Sequence, residues 1–207
     1  MPANAEPLVF IVSGPSGSGK STLVQSILGL SGTLLSISCT TRPPRKTESG
    51  GKWYNFVSEA EFERMKQAGE FLEFAQVFGK HWYATPRRWL DEARSSGKNL
   101  VLEIDVQGAM QVKQKLPAAI AIFIVPPSRD ELEKRIRSRG QDSDDEIARR
   151  LERARQELEQ YTGYDYVVIN DDRERAVKEV QGIVLAARCG LKQNQDRVKE
   201  ILKSFGG

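Results

Sequence analysis

A glycine-rich segment constrains this chain more than any other feature. Residues 14–21 read GPSGSGKS and fit the pattern G-x-x-x-x-G-K-[ST]. The apolar run Leu8 to Ser13 before it predicts a buried strand, and a helix is predicted from Lys20 to about Leu30. In this context the glycines let successive backbone N–H groups point at phosphate oxygens, and the helix presents its positive end to the same anion. The segment therefore predicts a phosphate-binding loop (P-loop) for a nucleoside triphosphate.

Two side chains at the end of this loop have predicted roles of their own. Lys20 is predicted to reach the β- and γ-phosphates, and the hydroxyl of Ser21 to ligate Mg²⁺. A glycine-rich turn with an incidental lysine is the alternative, and the flanking strand and helix argue against it. The loop does not by itself select a reaction, because GTPases, ATPase motors and small-molecule kinases all use it.

Strand and helix patterns alternate over most of the chain. Buried strands are predicted at Leu8 to Ser13 and Ile120 to Val125, and further strands at Leu34 to Cys39, Leu100 to Asp105 and Tyr166 to Ile169. Helices are predicted from Pro86 to Gly97, near Gln107 to Lys115, from Ser128, from Asp144, and as one long charged helix at the end. The alternation predicts an α/β fold with a three-layer core, in which helices cover both faces of a mostly parallel sheet.

The segment of about residues 40–85 interrupts this alternation and predicts a small β-rich insertion. It contains strand patterns at Trp53 to Val57 and Phe71 to Phe78, and a helix that Ser58 caps and that runs through Gln67. We expect one domain over residues 1–207, with a core at about 8–39, 86–128 and 160–190, a helical lid at about 129–159, and a helical extension at about 190–207. That extension has an apolar stripe of Val198, Ile201, Leu202 and Phe205. Three alternatives stay open for the stripe: it packs on the core, it pairs with another subunit, or it frays.

The composition excludes several classes of protein. The 31 basic and 28 acidic residues give a net charge of +3, which is too balanced for general nucleic-acid binding. Two cysteines and one histidine do not suggest a disulfide framework or a His/Cys metal site. No apolar run reaches about 18 residues, and Met1 to Pro7 lacks the features of a signal peptide. We therefore predict a cytoplasmic protein without a membrane segment; monomer and homo-oligomer both stay open.

A second anion site is indicated by the loop after Cys39. It contains Arg42 and Arg45, and two arginines three residues apart in a flexible loop can fork onto one dianionic phosphate. A tyrosine hydroxyl, such as that of Tyr54, can add a third donor. This set of donors suits the terminal 5′-phosphate of a nucleotide.

Several separated motifs occur in an order that resembles the guanylate kinase family, from about Leu8 to Asp172. They are the P-loop, the segment Thr40-x-Arg42-x-x-Arg45, the segment Tyr54-Asn55-Phe56-Val57, the segment Glu103-Ile104-Asp105-Val106-Gln107-Gly108 and the turn Asn170-Asp171-Asp172. The resemblance implies that ATP and GMP are the substrates, that ADP and GDP are the products, and that Mg²⁺ is the cofactor. It also implies a core, a GMP-binding insertion and a lid.

The resemblance assigns residues to both substrate sites. For ATP it implies Gly14, Pro15, Ser16, Gly17, Ser18, Gly19, Lys20, Ser21, Thr22 and Asn170. For GMP it implies Arg42, Arg45, Tyr54 and Tyr83 at the phosphate, Ser38, Glu73 and Asp105 at the guanine, and Thr85 as a further contact. Residues 79–85 are one residue longer than the family pattern, so a shift of one residue at Tyr83 and Thr85 stays open.

The two carboxylates agree with a guanine base. Guanine has N1–H and N2–H₂ donors beside its O6 acceptor, so Glu73 and Asp105 can accept from the donors while a hydroxyl donates to O6. Adenine has no N1–H and would leave a buried carboxylate oxygen unpaired, which is costly. The alternatives are that Glu73 is a solvated strand carboxylate and that Tyr54 and Tyr83 are ordinary strand aromatics.

Arginines flank a polar turn near residue 140. Phosphoryl transfer spreads charge over several oxygens, and arginines that arrive with a closing lid stabilise that charge while excluding water. The resemblance implies that Arg135, Arg139 and Arg150 contact phosphates and, with Lys20, are catalytic. Arg137 and Arg149 are predicted to stay solvated. The alternative for the whole group is an exposed helix pair whose arginines bind neighbouring glutamates.

Three further residues keep two interpretations each. Glu103 lies on the same strand face as Asp105 and either assists Mg²⁺ through water or lines the cleft. Asn170 lies near adenine, as the resemblance implies, or forms a turn. His81 is interpreted as a surface residue rather than a general base. No base is assigned, because the GMP phosphate, with a second pKa of about 6, is already anionic near neutral pH.

Two other functions fit part of these features. One is a different P-loop kinase, acting on another nucleotide or on a small molecule. The other is a non-catalytic phosphopeptide-binding module with the same fold. Such modules typically lack a working P-loop, whereas Lys20 and Ser21 are both present here. No residue is predicted to read a ribose 2′-hydroxyl, so acceptance of dGMP stays open.

Overall fold

The computed structural model describes residues 6–44, 48, 54–77, 79–138 and 143–205. Within these residues the chain forms strands and helices in the order β1 (Val9–Ser13), α1 (Lys20–Leu28), β2 (Thr33–Leu35), β3 (Cys39–Thr40), β4 (Asn55–Phe56), α2 (Glu59–Gln67), β5 (Phe71–Val77), β6 (His81–Pro86), α3 (Arg88–Ser96), β7 (Asn99–Glu103), α4 (Val106–Lys115), β8 (Ile120–Val125), α5 (Arg129–Arg137), α6 (Asp144–Leu158), β9 (Tyr166–Ile169), α7 (Arg173–Arg188) and α8 (Leu191–Ser204).

A parallel sheet of five strands forms the centre of the fold. Its strand order is β2-β7-β1-β8-β9, and every pairing in it is parallel. All five residues of β1 are buried, because the strand lies in the middle of the sheet and both of its faces are covered. Phe10 and Val12 contact a core built with α1 and α7, whereas Val9 and Ile11 contact a core built with α3 and α4. The predicted three-layer α/β core is confirmed.

A second sheet, smaller and mixed, lies in the part of the chain where the alternation breaks. Its strand order is β4-β3-β6-β5, with β5 and β6 forming an antiparallel hairpin that places Glu73 opposite Thr85. Phe62 of α2, Phe71 and Cys39 form the apolar cluster that covers one face of this sheet. The hairpin carries two of the polar side chains that matter for the site described below.

One strand prediction near this region was wrong, and one strand was missed. Leu34 to Cys39 is not one strand, because Thr33–Leu35 pairs with β7 in the central sheet while Cys39–Thr40 pairs with β6 in the second sheet. The run of side chains does not reveal that the backbone changes partner within it. The strand His81–Pro86 was not predicted at all, and Pro86 is its last residue rather than the start of a helix, since α3 begins at Arg88.

Helix ends with a local chemical signal were predicted well. The hydroxyls of Ser58 and Ser128 accept the N–H groups three residues on, as N-caps do, and Gly97 ends α3 in the left-handed conformation. The carboxylate of Glu61, three residues after Ser58, accepts from Arg64.

The end of the chain departs from the prediction of one long helix. It forms α7 and α8 as two helices, separated at Cys189 and Gly190. No residue of α8 is buried, and Val198, Ile201, Leu202 and Phe205 are all exposed. The apolar stripe therefore does not pack on the core. No helix in the described ranges has the length and apolar character needed to cross a membrane.

Candidate active site

The P-loop connects β1 to α1 at the carboxyl edge of the central sheet, where α/β proteins bind their ligands. Gly14, Gly17 and Gly19 all have positive φ angles. A Cβ atom on Gly19 would lie 2.2 Å from Nδ2 of Asn170, and that amide donates to the carbonyl of Ser18 at 2.7 Å. The conformation of the loop thus depends on glycine and on a side chain from the end of β9.

The first turn of α1 is open to an anion. Its N-cap, Gly19, offers no side-chain acceptor, and no acidic residue lies in the first turn. Nζ of Lys20 donates to the carbonyls of Gly14 and Pro15 at 2.6 and 2.9 Å, which holds the ammonium over the loop. Backbone N–H groups, the helix N-terminus and a lysine therefore converge on one space.

The P-loop, the second sheet and helix α6 all line one cavity of about 720 Å³. From the loop and α1 come Gly14, Ser16, Gly17, Gly19, Lys20, Ser21 and Thr22. The segment of residues 42–83 contributes Arg42, Glu48, Tyr54, Val77, Lys80 and Tyr83, β7 contributes Glu103, and α6 contributes Glu146, Arg149, Arg150, Arg153 and Glu157. The two predicted anion sites thus open onto the same cavity.

Arg42 is held in place by hydrogen bonds, an ion pair and aromatic rings. Its Nε donates to the hydroxyl of Tyr83 at 3.1 Å, and its Nη2 donates to Glu48 at 2.9 Å. The ring of Tyr54 lies 5.6 Å from the guanidinium carbon and meets the ring of Tyr83 edge to face. Burial raises the pKa of Tyr54 to about 12, so its hydroxyl stays a donor at neutral pH. Arg45, the second predicted phosphate ligand, lies outside the described residues.

A smaller cavity of about 130 Å³ adjoins the large one. It shares Lys20, Tyr54, Tyr83 and Glu103 with the large cavity. Its other walls are Ser38, Glu73, Ala75, Ile104 and Asp105. The three residues that were predicted to bind guanine, Ser38, Glu73 and Asp105, are thus brought together from β5 and from the segments after β2 and β7.

Glu73 is buried, which contradicts its interpretation as a solvated strand carboxylate. Only 3% of the residue is exposed, and the hydroxyl of Thr85 donates to Oε1 at 2.7 Å. Burial, with a further contribution from Asp105, raises the pKa of Glu73 to about 7. Oδ1 of Asp105 accepts the backbone N–H of Gly108 at 2.8 Å and caps α4. Both carboxylates are thus oriented by neutral donors.

Gly108 makes room for the carboxylate of Glu73. A Cβ atom there would lie 2.6 Å from Oε2, and Glu73 cannot easily swing aside because it is buried and bound to Thr85. We expect Gly108→Ala to lower the free energy of unfolding by about 1–3 kcal/mol, as overpacking does. Urea denaturation measures this. Gly182→Ala in α7 is the matched control, because no atom lies within 4 Å of its Cβ position, and it should stabilise by about 0.5–1 kcal/mol. Equal stabilisation by both changes would show that Glu73 moves freely.

The arginines that were predicted to contact phosphates or to stay solvated have different surroundings. Nη2 of Arg150 donates to the hydroxyl of Ser16 in the P-loop at 2.7 Å. Arg135 does not line the cavity: it donates to Glu131 and to the carbonyl of Asn170. Arg137 is exposed and binds Glu133 and Asp144, as predicted. Arg139 lies outside the described residues.

Several residues of α6 that line the cavity were not predicted from the sequence. Arg149, which was predicted to be solvated, is exposed but lines the cavity, and Arg153 and Glu157 line it as well. The spacing of residues 146, 149, 150, 153 and 157 places them on one face of a helix, and this signal was available in the sequence. Glu48, the partner of Arg42, had no comparable signal.

The donor set for a divalent cation is small. In the part of the chain that is described, no group of three or more His, Cys, Asp or Glu residues is arranged to hold a metal. The hydroxyl of Ser21 donates to Oε1 of Glu103 at 2.6 Å, so two oxygen-bearing side chains meet beside the P-loop. Such a pair fits Mg²⁺, which takes few protein oxygens and completes its octahedron with waters and substrate phosphates.

The fold and the cavity define a P-loop nucleotide-binding protein in which Arg42, Tyr54 and Tyr83 line the same cavity as the loop. A family model described as "Guanylate kinase" matches residues 6–187. Guanylate kinase of Bordetella pertussis is 47% identical over 199 residues, which cover 96% of this chain and 92% of that protein. Guanylate kinase of Caldanaerobacter subterraneus subsp. tengcongensis is 45% identical over 197 residues, with 95% of each chain covered. The chain belongs to the guanylate kinase family.

Solved structures agree with this assignment. The crystal structure of guanylate kinase from Anaplasma phagocytophilum matches with a TM-score of 0.77 at 32% identity, covering 92% of this chain and 90% of that one. TT1252 from Thermus thermophilus matches with a TM-score of 0.52 at 18% identity, which shows the fold alone. The predicted family is therefore confirmed by sequence and by structure.

Proposed function

We propose that this chain is an ATP:GMP phosphotransferase, which transfers the γ-phosphoryl group of ATP to GMP and gives ADP and GDP. The observation that carries the proposal is the single cavity lined by the P-loop and by the cluster of Arg42, Tyr54 and Tyr83. Membership of the guanylate kinase family supports the same reaction. A cytoplasmic location stays a prediction from the sequence.

The P-loop end of the cavity binds the donor. Backbone N–H groups of the loop and the N-terminus of α1 bind the β- and γ-phosphates, and Lys20 neutralises charge on them as the bond to the β–γ bridging oxygen breaks. Arg150, already at the loop through Ser16, adds a second cation beside the phosphates. Arg139 stays a predicted partner, and Arg135 is proposed to act by holding the Asn170 segment against the loop.

The opposite end of the cavity binds the acceptor phosphate. Arg42, fixed by Tyr83 and Glu48, presents a charged donor, the hydroxyls of Tyr54 and Tyr83 add neutral ones, and Arg45 stays a predicted partner. An oxygen of the GMP phosphate attacks the γ-phosphorus, and no general base is needed because that phosphate is already anionic. The protein contributes positioning and electrostatic stabilisation.

The small cavity binds the guanine base. The carboxylates of Glu73 and Asp105 accept from N1–H and N2–H₂, and the hydroxyl of Thr85 or Ser38 donates to a guanine acceptor or orients a carboxylate. Adenine would leave a buried carboxylate unpaired in this cavity. The walls that the two cavities share support this assignment, because the base and the phosphate of one nucleotide must bind in adjoining sites.

Ser21 and Glu103 are the residues we propose for Mg²⁺, the first directly and the second directly or through water. When bound, Mg²⁺ neutralises charge on the β- and γ-phosphate oxygens. The proposed lid, α5 and α6, excludes water from the cavity and brings Arg150 to the phosphates.

One acceptor panel tests this function. Purified protein with ATP and Mg²⁺ is given GMP, AMP, CMP or UMP, and ADP formation is followed in a coupled assay. We expect kcat/KM for GMP to exceed that for each other monophosphate by at least about 10³-fold, because a site built for hydrogen bonds rejects ligands that leave its groups unpaired. Preference for another monophosphate would identify a different kinase. No turnover with tight binding of a phosphopeptide would identify a binding module.

A further inference from the structure

Helix α6 reaches both halves of the cavity with two arginines one helical turn apart. Arg150 donates to Ser16 on the P-loop side. Arg153, three residues later, lies with Nη2 at 3.8 Å from Oδ2 of Asp105, on the side of the base pocket. The function described above uses Arg150 and gives Arg153 no role.

Arg153 interacts with two carboxylates, one lining the large cavity and one lining the small cavity. Its Nε donates to Oε1 of Glu157 at 2.9 Å, and the side chains of Arg153, Asp105 and Glu157 are 22%, 25% and 15% exposed. Burial raises the pKa of Glu157, and the charges of Arg153 and Lys20 oppose that rise. Glu157 therefore lies within electrostatic reach of the P-loop lysine.

The carboxylate of Asp105 has one oxygen committed and one available. Oδ1 caps α4 by accepting the N–H of Gly108, which holds the carboxyl group in one orientation. Oδ2 is buried and makes no hydrogen bond within the described part of the chain, and Nη2 of Arg153 lies 3.8 Å from it. At 3.8 Å the two groups attract each other without a direct hydrogen bond.

We propose that Arg153 is a positioning residue for guanine recognition, which acts through Oδ2 of Asp105 and thereby ties helix α6 to the base pocket. The proposal rests on the function proposed above, because Asp105 is taken to accept from the guanine. The positive charge of Arg153 attracts Oδ2 of Asp105 and keeps the carboxylate aimed at the cavity when the base arrives. When that charge is removed, we expect the affinity for GMP to fall and the affinity for ATP to change little.

The same helix contains a matched control. Arg155 binds Glu159 four residues on, as Arg153 binds Glu157, but the side chain of Arg155 is 73% exposed and does not line the cavity. Arg153→Gln and Arg155→Gln therefore remove the same charge and the same kind of intrahelical pair. Any difference between the two variants reports on the cavity.

The test is a double-mutant cycle with Asp105→Asn, chosen because asparagine still caps a helix. We expect Arg153→Gln to raise KM for GMP about tenfold, with KM for ATP changed less than about twofold, and Arg155→Gln to change neither. In the Asp105→Asn background, Arg153→Gln should have no further effect on KM for GMP. Arg153→Lys should recover part of the loss, because it restores the charge.

Several outcomes would overturn the proposal. They are additive effects of Arg153→Gln and Asp105→Asn, an equal rise of KM for ATP and GMP, and identical behaviour of the Arg153 and Arg155 variants. Melting temperatures of all variants show whether each is folded. A wild-type chain that does not phosphorylate GMP would instead contradict the proposed function, so the two failures are distinguishable.

Discussion

Lys20→Ala is expected to lower kcat by at least about 10³-fold while GMP still binds with nearly unchanged affinity. Removal of one preorganised donor at a developing charge typically costs about 10²–10³-fold, and Lys20 contributes a full charge to the phosphates being separated. GMP affinity should hold because the acceptor phosphate is bound by the Arg42 cluster at the other end of the cavity. A coupled ADP assay measures kcat, and calorimetric titration measures GMP binding.

The control for this change is Lys98→Ala. Lys98 is exposed and precedes β7 at its amino end, whereas the P-loop lies at the carboxyl edge of the sheet. We expect this variant to keep wild-type kcat. Near-wild-type turnover by the Lys20 variant would mean that the loop does not bind the donor phosphates, and loss of GMP binding with kcat unchanged would reverse the two sites.

Glu73→Gln is expected to lower kcat/KM for GMP by at least about 10²-fold and to leave ATP binding unchanged. The amide presents N–H groups toward the N–H donors of guanine, so one hydrogen bond is lost and a donor faces a donor. Glu70→Gln is the matched control, because Glu70 precedes the same strand, binds Arg64 and does not line either cavity. Equal loss of ATP and GMP affinity would show that Glu73 is structural.

Glu73→Gln should also stabilise the free protein at alkaline pH. The pKa of Glu73 is raised from 4.5 to about 7, so the folded state binds its proton more tightly than the unfolded state does. That contribution to stability is fully present below pH 4.5 and is lost as the pH rises through 7. Above pH 7 the ionised carboxylate costs the folded state about 3 kcal/mol, which the neutral amide avoids.

Urea denaturation at about pH 5 and about pH 8, on either side of the raised pKa, separates these cases. We expect the difference in unfolding free energy between Glu73→Gln and wild type to shift in favour of the variant from about pH 5 to about pH 8. Glu70→Gln should show no such shift. A constant difference between wild type and Glu73→Gln would mean that the carboxyl titrates normally. Lower activity with higher stability in one variant would identify burial of this carboxylate as a cost that guanine recognition requires.

Much of the site was predictable where its chemistry is local. The P-loop depends on consecutive residues between one strand and one helix, so its pattern predicts its conformation. Ser58 and Ser128 cap their helices because a hydroxyl reaches an N–H three residues on. Ile120–Val125 was predicted to the residue, since an uninterrupted apolar run in an α/β chain suits a strand covered on both faces.

The misses share a physical cause. The change of sheet between Leu35 and Cys39 and the strand His81–Pro86 depend on which distant strand supplies hydrogen bonds. Arg153 and Arg155 each have a glutamate partner four residues on, and helical spacing places only Arg153 on the face of Arg150. The spacing does not show what that face packs against, and only the folded structure places it over the cavity.

The α/β class, the P-loop and the residue types of a guanylate kinase were predictable from the sequence alone, because they follow from short-range pattern and from motif order. The folded chain was needed to show that the P-loop and Arg42 line one cavity and that Glu73 is buried beside Gly108, Thr85 and Asp105. These facts required contacts between residues far apart in the chain. Burial and electrostatic field are properties of such contacts, so they arise only when the chain has folded.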